Sequence, residues 1–303
     1  MFLGIFELKR WIIFAVLISA LVFGNSYDLN AEEKIRVLIV DGQNNHAWKA
    51  TTPVLKSILE NTQKFQVDVA TSPPKDTKGF HPEFSKYAVI VSNYNGNEWP
   101  TETKNDFIKY IENGGGLVVV HAADNSFPKW PEYNKMIGIG GWGGRNEKSG
   151  PYIRLRDGKF IQDTSKGRGG SHGQQHDFLI ESRNSEHPIM KDLPSKWLHV
   201  KDELYDRLRG PAENVTVLAT AFADPKKGGS GEIEPMLMVI PYGKGKVFHT
   251  TLGHSPEAMK CVGFATIFAR GTEWVATGKV TVPIPSNFPT LDKTSTISIP
   301  STK

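Results

Sequence analysis

Histidines at positions 46, 121 and 254, each placed just after an apolar run, are the side chains of this sequence best placed to do chemistry. His121 closes Gly114-Gly115-Gly116-Leu117-Val118-Val119-Val120, a run without polar alternation, as expected of a strand covered on both faces. His46 follows the run Ile35 to Asp41, and His254 follows Val247 to Leu252. Ligands of open parallel sheets bind outside the carboxyl ends of the strands, so the three imidazoles are expected on one rim. His172 and His176 come from a Gly-rich stretch, and Asp202-Glu203, just before Tyr205, can supply a carboxylate.

Imidazole titrates near neutral pH and is the commonest side-chain metal ligand. The set therefore fits two chemistries. One is proton transfer centred on His121, with Glu203 as acid/base and His46 and His254 as partners; the other is a divalent site of the zinc type on His46, His121 and His254. No HExxH spacing occurs, and the choice stays open. The alternative for His121 is a residue that only ends a strand, and His81, His187 and His199 read as surface or packing residues.

These groups need a scaffold, and the flanking patterns describe one. Residues 34–41 form a β-rich run ended by Asp41-Gly42. A helix is expected from Thr51-Thr52-Pro53, with Val54, Leu55, Ile58 and Leu59 at helical spacing. Strands follow at Phe65 to Ala70 and Tyr87 to Val91, a helix at Thr101 to Asn113, and then the Gly-rich strand. That order implies a mostly parallel, doubly wound α/β sheet with helices on both faces. Later strands are read at Asp177 to Glu181, Val215 to Ala221, Met236 to Ile240 and Lys246 to Thr251, the last two joined by a turn at Tyr242-Gly243-Lys244-Gly245. One long helix is expected from Pro256 to Thr277, with Cys261 on its apolar stripe. From Val280 onward a Pro-, Ser- and Thr-rich tail is expected to run loosely over the surface.

Residues 124–175 interrupt this rhythm with eleven glycines set around Trp130 and Trp142, which suggests a loop system lying over the sheet. Gly138-Ile139-Gly140-Gly141-Trp142-Gly143 follows no strand and opens no clear helix, which argues against a dinucleotide fingerprint. Trp48, Trp130 and Trp142 are candidates to stack on a ligand ring, with packing as the alternative; His172, His176 and Tyr205 complete the candidate binding set.

Composition narrows the field. A net charge of +4 over 303 residues is too small and too scattered for a nucleic-acid partner. Lys9-Arg10, the apolar stretch from Trp11 to Gly24 and the small residues after it read as a signal peptide over residues 1–31, which implies a periplasmic or secreted protein. The stretch is short for a membrane span, so a membrane contact would come only through an uncleaved amino-terminal segment. Cys261 is the only cysteine, so stability must come from the core.

Four segments carry a family resemblance: Asn45-His46-Ala47-Trp48, the run from Gly114 to His121, Asp202-Glu203-Leu204-Tyr205, and Tyr242 to Ser255. Together they resemble the ThuA-like (trehalose utilisation) family from about Ile35 to Thr277. The resemblance implies a ThuA-like domain over residues 32–280, followed by the tail at 281–303. It also implies a flavodoxin-like fold akin to class I glutamine amidotransferases, and a place in the catabolism of sugars, notably glycosides oxidised at C3. Amidotransferases present a cysteine nucleophile after the equivalent strand; here His121-Ala122-Ala123 stands there, so no glutaminase is expected. The expectation is an exported protein acting on an oxidised (3-keto) sugar or glycoside as an isomerase, lyase or hydrolase. The alternatives are a non-catalytic carbohydrate-binding or scaffolding module and a metal-dependent hydrolase.

Overall fold

A computed structural model describes residues 33–299 of the protein. The signal peptide expected at residues 1–31 lies outside the described residues. The first half of the chain runs β1 (Ile35–Asp41), α1 (Trp48–Asn61), β2 (Phe65–Thr71), β3 (Val89–Ser92), α2 (Thr101–Glu112) and β4 (Gly116–Val120). It continues through α3 (Pro131–Ile137), the hairpin β5 (Tyr152–Arg156) and β6 (Lys159–Asp163), β7 (Ser171–His172), β8 (His176–Ser182), β9 (Lys196–Asp202) and β10 (Tyr205–Asp206). The last elements are β11 (Thr216–Phe222), β12 (Ile233–Tyr242), β13 (Gly245–Thr250), α4 (Pro256–Met259) and α5 (Val262–Thr277).

Nine strands make one sheet in the order β2-β1-β3-β4-β13-β12-β11-β8-β9. From β2 to β13 every pairing is parallel, and from β13 to β9 every pairing is antiparallel. The period-2 geometry of a strand explains the continuous apolar runs. In β1, Val37 and Ile39 enter the core under α1 and α5, while Leu38 and Val40 enter the other core under α2 and α3. The sheet is thus covered on both faces, as the sequence implied. The turn from β12 to β13 needs a glycine: Gly243 has φ +57°, and a Cβ there would lie 2.7 Å from the Glu112 Cα.

The structure departs from expectation in four places. Helix α1 starts at Trp48, so Pro53 is inside it. The loop system at 124–175 holds α3 and the β5–β6 hairpin. The long carboxyl-terminal helix is broken: Cys261, extended at φ −53° and ψ 126°, separates α4 from α5, because its backbone bridges to Thr296 rather than continuing the helix. That bridge belongs to the fourth departure. The tail is docked, with Leu198 N–H donating to the Thr290 carbonyl (2.7 Å) and Ile297 N–H to the Lys260 carbonyl (2.8 Å). Phe288 packs on the buried Trp197 at 5.7 Å between ring centroids. Buried apolar contacts, which composition alone did not show, hold it there.

Candidate active site

The carboxyl ends of β1, β4 and β13 lie close together in the sheet, and each is followed by one of the three histidines. Their rings converge, with centroids 4.9 Å apart for His46 and His121, 4.4 Å for His46 and His254, and 5.6 Å for His121 and His254. His121 has φ +46°, an unfavourable left-handed backbone for a residue with a Cβ, and such strain gathers where function needs a fixed side chain. Its Nδ1 donates to the Thr251 carbonyl at 2.7 Å, which leaves Nε2 as the free lone pair.

Glu203 enters from beyond β9, at the far edge of the sheet, and Asp202 ties that segment to the exit of β13. The Asp202 carboxylate, with no exposed side-chain surface, accepts the backbone N–H groups of Glu203 (2.8 Å), Gly253 (2.8 Å) and His254 (3.0 Å), together with His199 Nε2 at 2.9 Å. One carboxylate therefore positions two of the converging side chains. Glu203 Oε2 then sits 3.6 Å from His121 Nε2 and 3.0 Å from His254 Nδ1. One donor atom from each of His46, His121, Glu203 and His254 lies within 4.8 Å of the others.

The electrostatics follow from this crowding. Burial, then the neighbouring His121 and His254, push His46 down to about 4, so it is neutral near pH 7. Burial opposes ionisation of Glu203, yet His121 and His254 outweigh it and hold the carboxyl far below its usual range. The same contact to Glu203 raises His254. Burial, then Asp124 and Glu203, push the Tyr205 phenol well above its ordinary value.

A cavity of about 390 Å³ opens over this cluster. Tyr205 lies against His121 with centroids 4.0 Å apart, and its hydroxyl is 3.1 Å from His46 Nε2. Trp142 packs on Tyr205 at 4.7 Å, and His172 places Nε2 3.8 Å from Glu203 Oε1. Trp142, His172 and Tyr205 thus reach the cavity as the sequence suggested.

Three expected residues do not reach it. Trp130 is buried among Phe127, Tyr133 and Trp99, which makes it core. Trp48 is drawn into α1, where Lys49 Nζ lies over its ring at 5.5 Å. His176 opens β8 with Nδ1 2.7 Å from the Gln174 carbonyl and its ring against Phe178. Asn125, Asn95 and Phe127 line the cavity without having been singled out, since nothing in an isolated asparagine marks it. His249, buried 3.3 Å from Asp124, was also missed as a site neighbour; Asp124, three residues after His121, was the available hint.

Comparison with known proteins identifies the family and the fold. A family model described as ThuA, trehalose utilisation, matches residues 36–275. The chain belongs to the ThuA family. It is similar to a ThuA-like protein of known structure from Parabacteroides merdae, with 49% identity and a TM-score of 0.85 over 88% of this chain and 98% of that one. A ThuA-like protein from Bacteroides uniformis (20% identity, TM-score 0.54, 84% of this chain and 96% of that one) shares the fold. So does a cytoplasmic protein from Salmonella typhimurium (15% identity, TM-score 0.50, 80% and 99%). No curated protein matches the chain. In this ThuA protein the one cysteine is no part of the cavity: Cys261 is buried at the start of α5, its thiol against the His199 ring.

Proposed function

We propose that this ThuA protein is an enzyme of carbohydrate breakdown that holds a divalent cation on His46, His121, His254 and Glu203 and acts on a sugar or glycoside already oxidised to a ketone. The observation that carries the reading is a set of orphaned atoms. His121 Nε2, His254 Nδ1 and Glu203 Oε2 are buried, and although the last two lie 3.0 Å apart none of the three makes a well-aligned hydrogen bond among the described residues, an arrangement whose desolvation cost a cation would offset. Three imidazoles and one carboxylate are also a donor set suited to zinc or a related ion, and the Thr251 carbonyl orients His121 as an outer partner of such a ligand should.

A bound cation would supply a Lewis acid for the substrate carbonyl oxygen. The remaining work falls to the chain. Glu203, with its depressed proton affinity, suits a ligand better than a base. His172, half-exposed on the cavity wall, has Nδ1 2.8 Å from the Gly173 carbonyl, which leaves Nε2 free to take a proton. It would remove the acidic hydrogen beside the ketone and return it to the neighbouring carbon or to the departing glycosidic oxygen, giving isomerisation or elimination. Trp142 offers a face for the sugar ring.

Metal analysis of the purified protein, with incubation of matched 3-keto and parent glycosides and product detection by mass spectrometry, tests the reading. Turnover of the 3-keto compound, lost with a chelator and regained with zinc, is the expected result. Turnover of the parent glycoside alone would replace it with an ordinary hydrolase, and binding without product with a carbohydrate-binding module. The basic, apolar and small-residue order of residues 1–31 supports export. Amino-terminal sequencing of the fractionated protein tests this, and an intact Met1 on a soluble cytoplasmic protein would overturn it.

A further inference from the structure

We infer that the cavity selects an uncharged sugar and rejects its phosphorylated and carboxylated counterparts, with Asn125 and Trp142 as the selecting residues. The inference rests on the carbohydrate reading above and narrows it to one substrate class.

The cavity walls are of two kinds. Trp142, Phe127 and Pro128 give apolar surface, and Asn45, Asn95 and Asn125 give amides. Amides beside an aromatic face suit a hydroxyl-rich ring, whose C–H groups stack while its hydroxyls both donate and accept. Asn125 is 8% exposed, and its Oδ1 lacks a hydrogen-bond partner among the described residues. Asn125 also lines the cavity, and a buried carbonyl oxygen without a donor is satisfied by a hydroxyl brought against it; a sugar hydroxyl is such a donor where a phosphate dianion is not. Asn95 Nδ2 donates to Asn45 Oδ1 at 2.7 Å, and Asn45 Nδ2 reaches His46 Nε2 at 3.2 Å, so the amides run from the rim down to the cluster.

The charges point the same way. Among the described residues no lysine or arginine lines the cavity. One guanidinium behind the cavity wall is used up elsewhere: Arg145 is buried and donates to the carbonyls of Asn125 (3.1 Å), Gly141 (2.6 Å) and Ser126 (2.9 Å) and to Asn134 Oδ1 (2.8 Å). Glu203 lies at the cavity, with Asp202 and Asp124 buried close by. A phosphate or carboxylate on the sugar would meet these acids with no lysine or arginine opposite it, and like charges at short range in a dry site repel strongly. A cation on the histidines would engage the substrate ketone, leaving no cation for an anionic group elsewhere on the sugar. With about 390 Å³ the cavity is at the small end for ligand sites, roughly 300–1,000 Å³, which suits one or two rings.

The test is binding, read by tryptophan fluorescence and calorimetry, with and without added zinc. A methyl glucoside, its 3-keto form, its 6-phosphate and the matching glucuronide serve as probes. The neutral probes are expected to bind at least about tenfold more tightly than the two anions. Asn125→Ala should weaken neutral binding about tenfold, the loss of one hydrogen bond, and Trp142→Ala should remove the fluorescence change. Asn95→Lys, placing an ammonium on the half-buried rim, should raise affinity for the 6-phosphate while thermal melts show an intact fold. Tighter binding of the phosphate or glucuronide by the unaltered protein would overturn the selection and leave the carbohydrate reading standing. Binding of none of the four would overturn both.

Discussion

His121 Nδ1 and the Thr251 carbonyl oxygen, 130 residues apart in sequence, are joined by a 2.7 Å hydrogen bond that decides which nitrogen faces the site. The bond gives His121→Ala two effects at once. Turnover should fall at least about 10²-fold, the lower bound for losing a positioned acid, base or ligand. Stability should fall by about 1–3 kcal/mol, because a buried carbonyl loses its partner. Metal content and chemical denaturation measure the two separately; a variant that keeps both the metal and turnover would end the assignment of His121.

His46 should remain neutral well into acid. With burial and two neighbouring imidazoles pushing it down to about 4 from an ordinary 6.5, the unfolded chain binds more protons than the folded one between those values. Its contribution to stability therefore rises with pH across that window. An NMR titration of the metal-free protein should place the His46 midpoint near 4, and one near 6.5 would contradict the packing described.

Trp130 and Trp142 should behave oppositely. Trp130→Ala opens a cavity in the aromatic core and should lower stability by about 3–5 kcal/mol, with the ligand-induced fluorescence change kept. Trp142→Ala should barely move the melting temperature and should abolish that change. Equal behaviour of the two would mean that Trp142 is also packing.

The docked tail should be part of the folded unit. Glu273 accepts the N–H groups of Thr281 (2.7 Å) and Val282 (2.9 Å) and the Thr281 hydroxyl (2.5 Å). Burial opposes its charge, but these donors outweigh burial and lower its affinity for a proton. The stabilisation is present above the ordinary value of 4.5 and fades as pH falls below it. Removing residues 281–303 should cost about 2 kcal/mol or more from these bonds. For a chain of this size that lowers the melting temperature by about 4–8 °C, and an unchanged melt would show the tail to be superficial.

Cys261→Ser should leave turnover within a few-fold of the parent, since the thiol lies at the start of α5 and outside the cavity. The substitution should still be felt in the core. The His199 ring is pushed up to about 10 by Asp202 and Cys261 against the opposing effect of burial, so its titration is expected to shift in the serine variant. Loss of all turnover with an intact fold would restore a thiol mechanism.

The sheet and three of the four converging residues were legible because strand ends obey a positional rule: an apolar run followed by His46, His121 or His254 needs no tertiary information to be placed on one rim. Glu203 was named from its neighbourhood in sequence, but its route was hidden. β9 is at the far edge of the sheet, and only the bonds from Asp202 to the backbone of Gly253 and His254 bring Glu203 across. Aromatic residues were the weakest ground. Trp130 and Trp142 lie in one Gly-rich stretch, and whether an indole turns into the core or toward a ligand depends on packing that a single sequence does not encode locally. The break at Cys261 was hidden for a similar reason, because the pairing that ends the helix comes from Thr296.

The place of β13 in the sheet has a bearing on how the protein is made. β13 sits between β4 and β12, so the middle of the sheet is filled by a strand that ends at Thr250, after more than four-fifths of the chain has been synthesised. Until then β4 has an open edge, and His121 lacks both Thr251 and His254. Pairings between such distant segments form slowly, and an unpaired central strand invites association with other chains. An incomplete chain would have half of a site and an adhesive edge. The affinity of the site for its ligand would then report that the chain had been extended past His254 and folded.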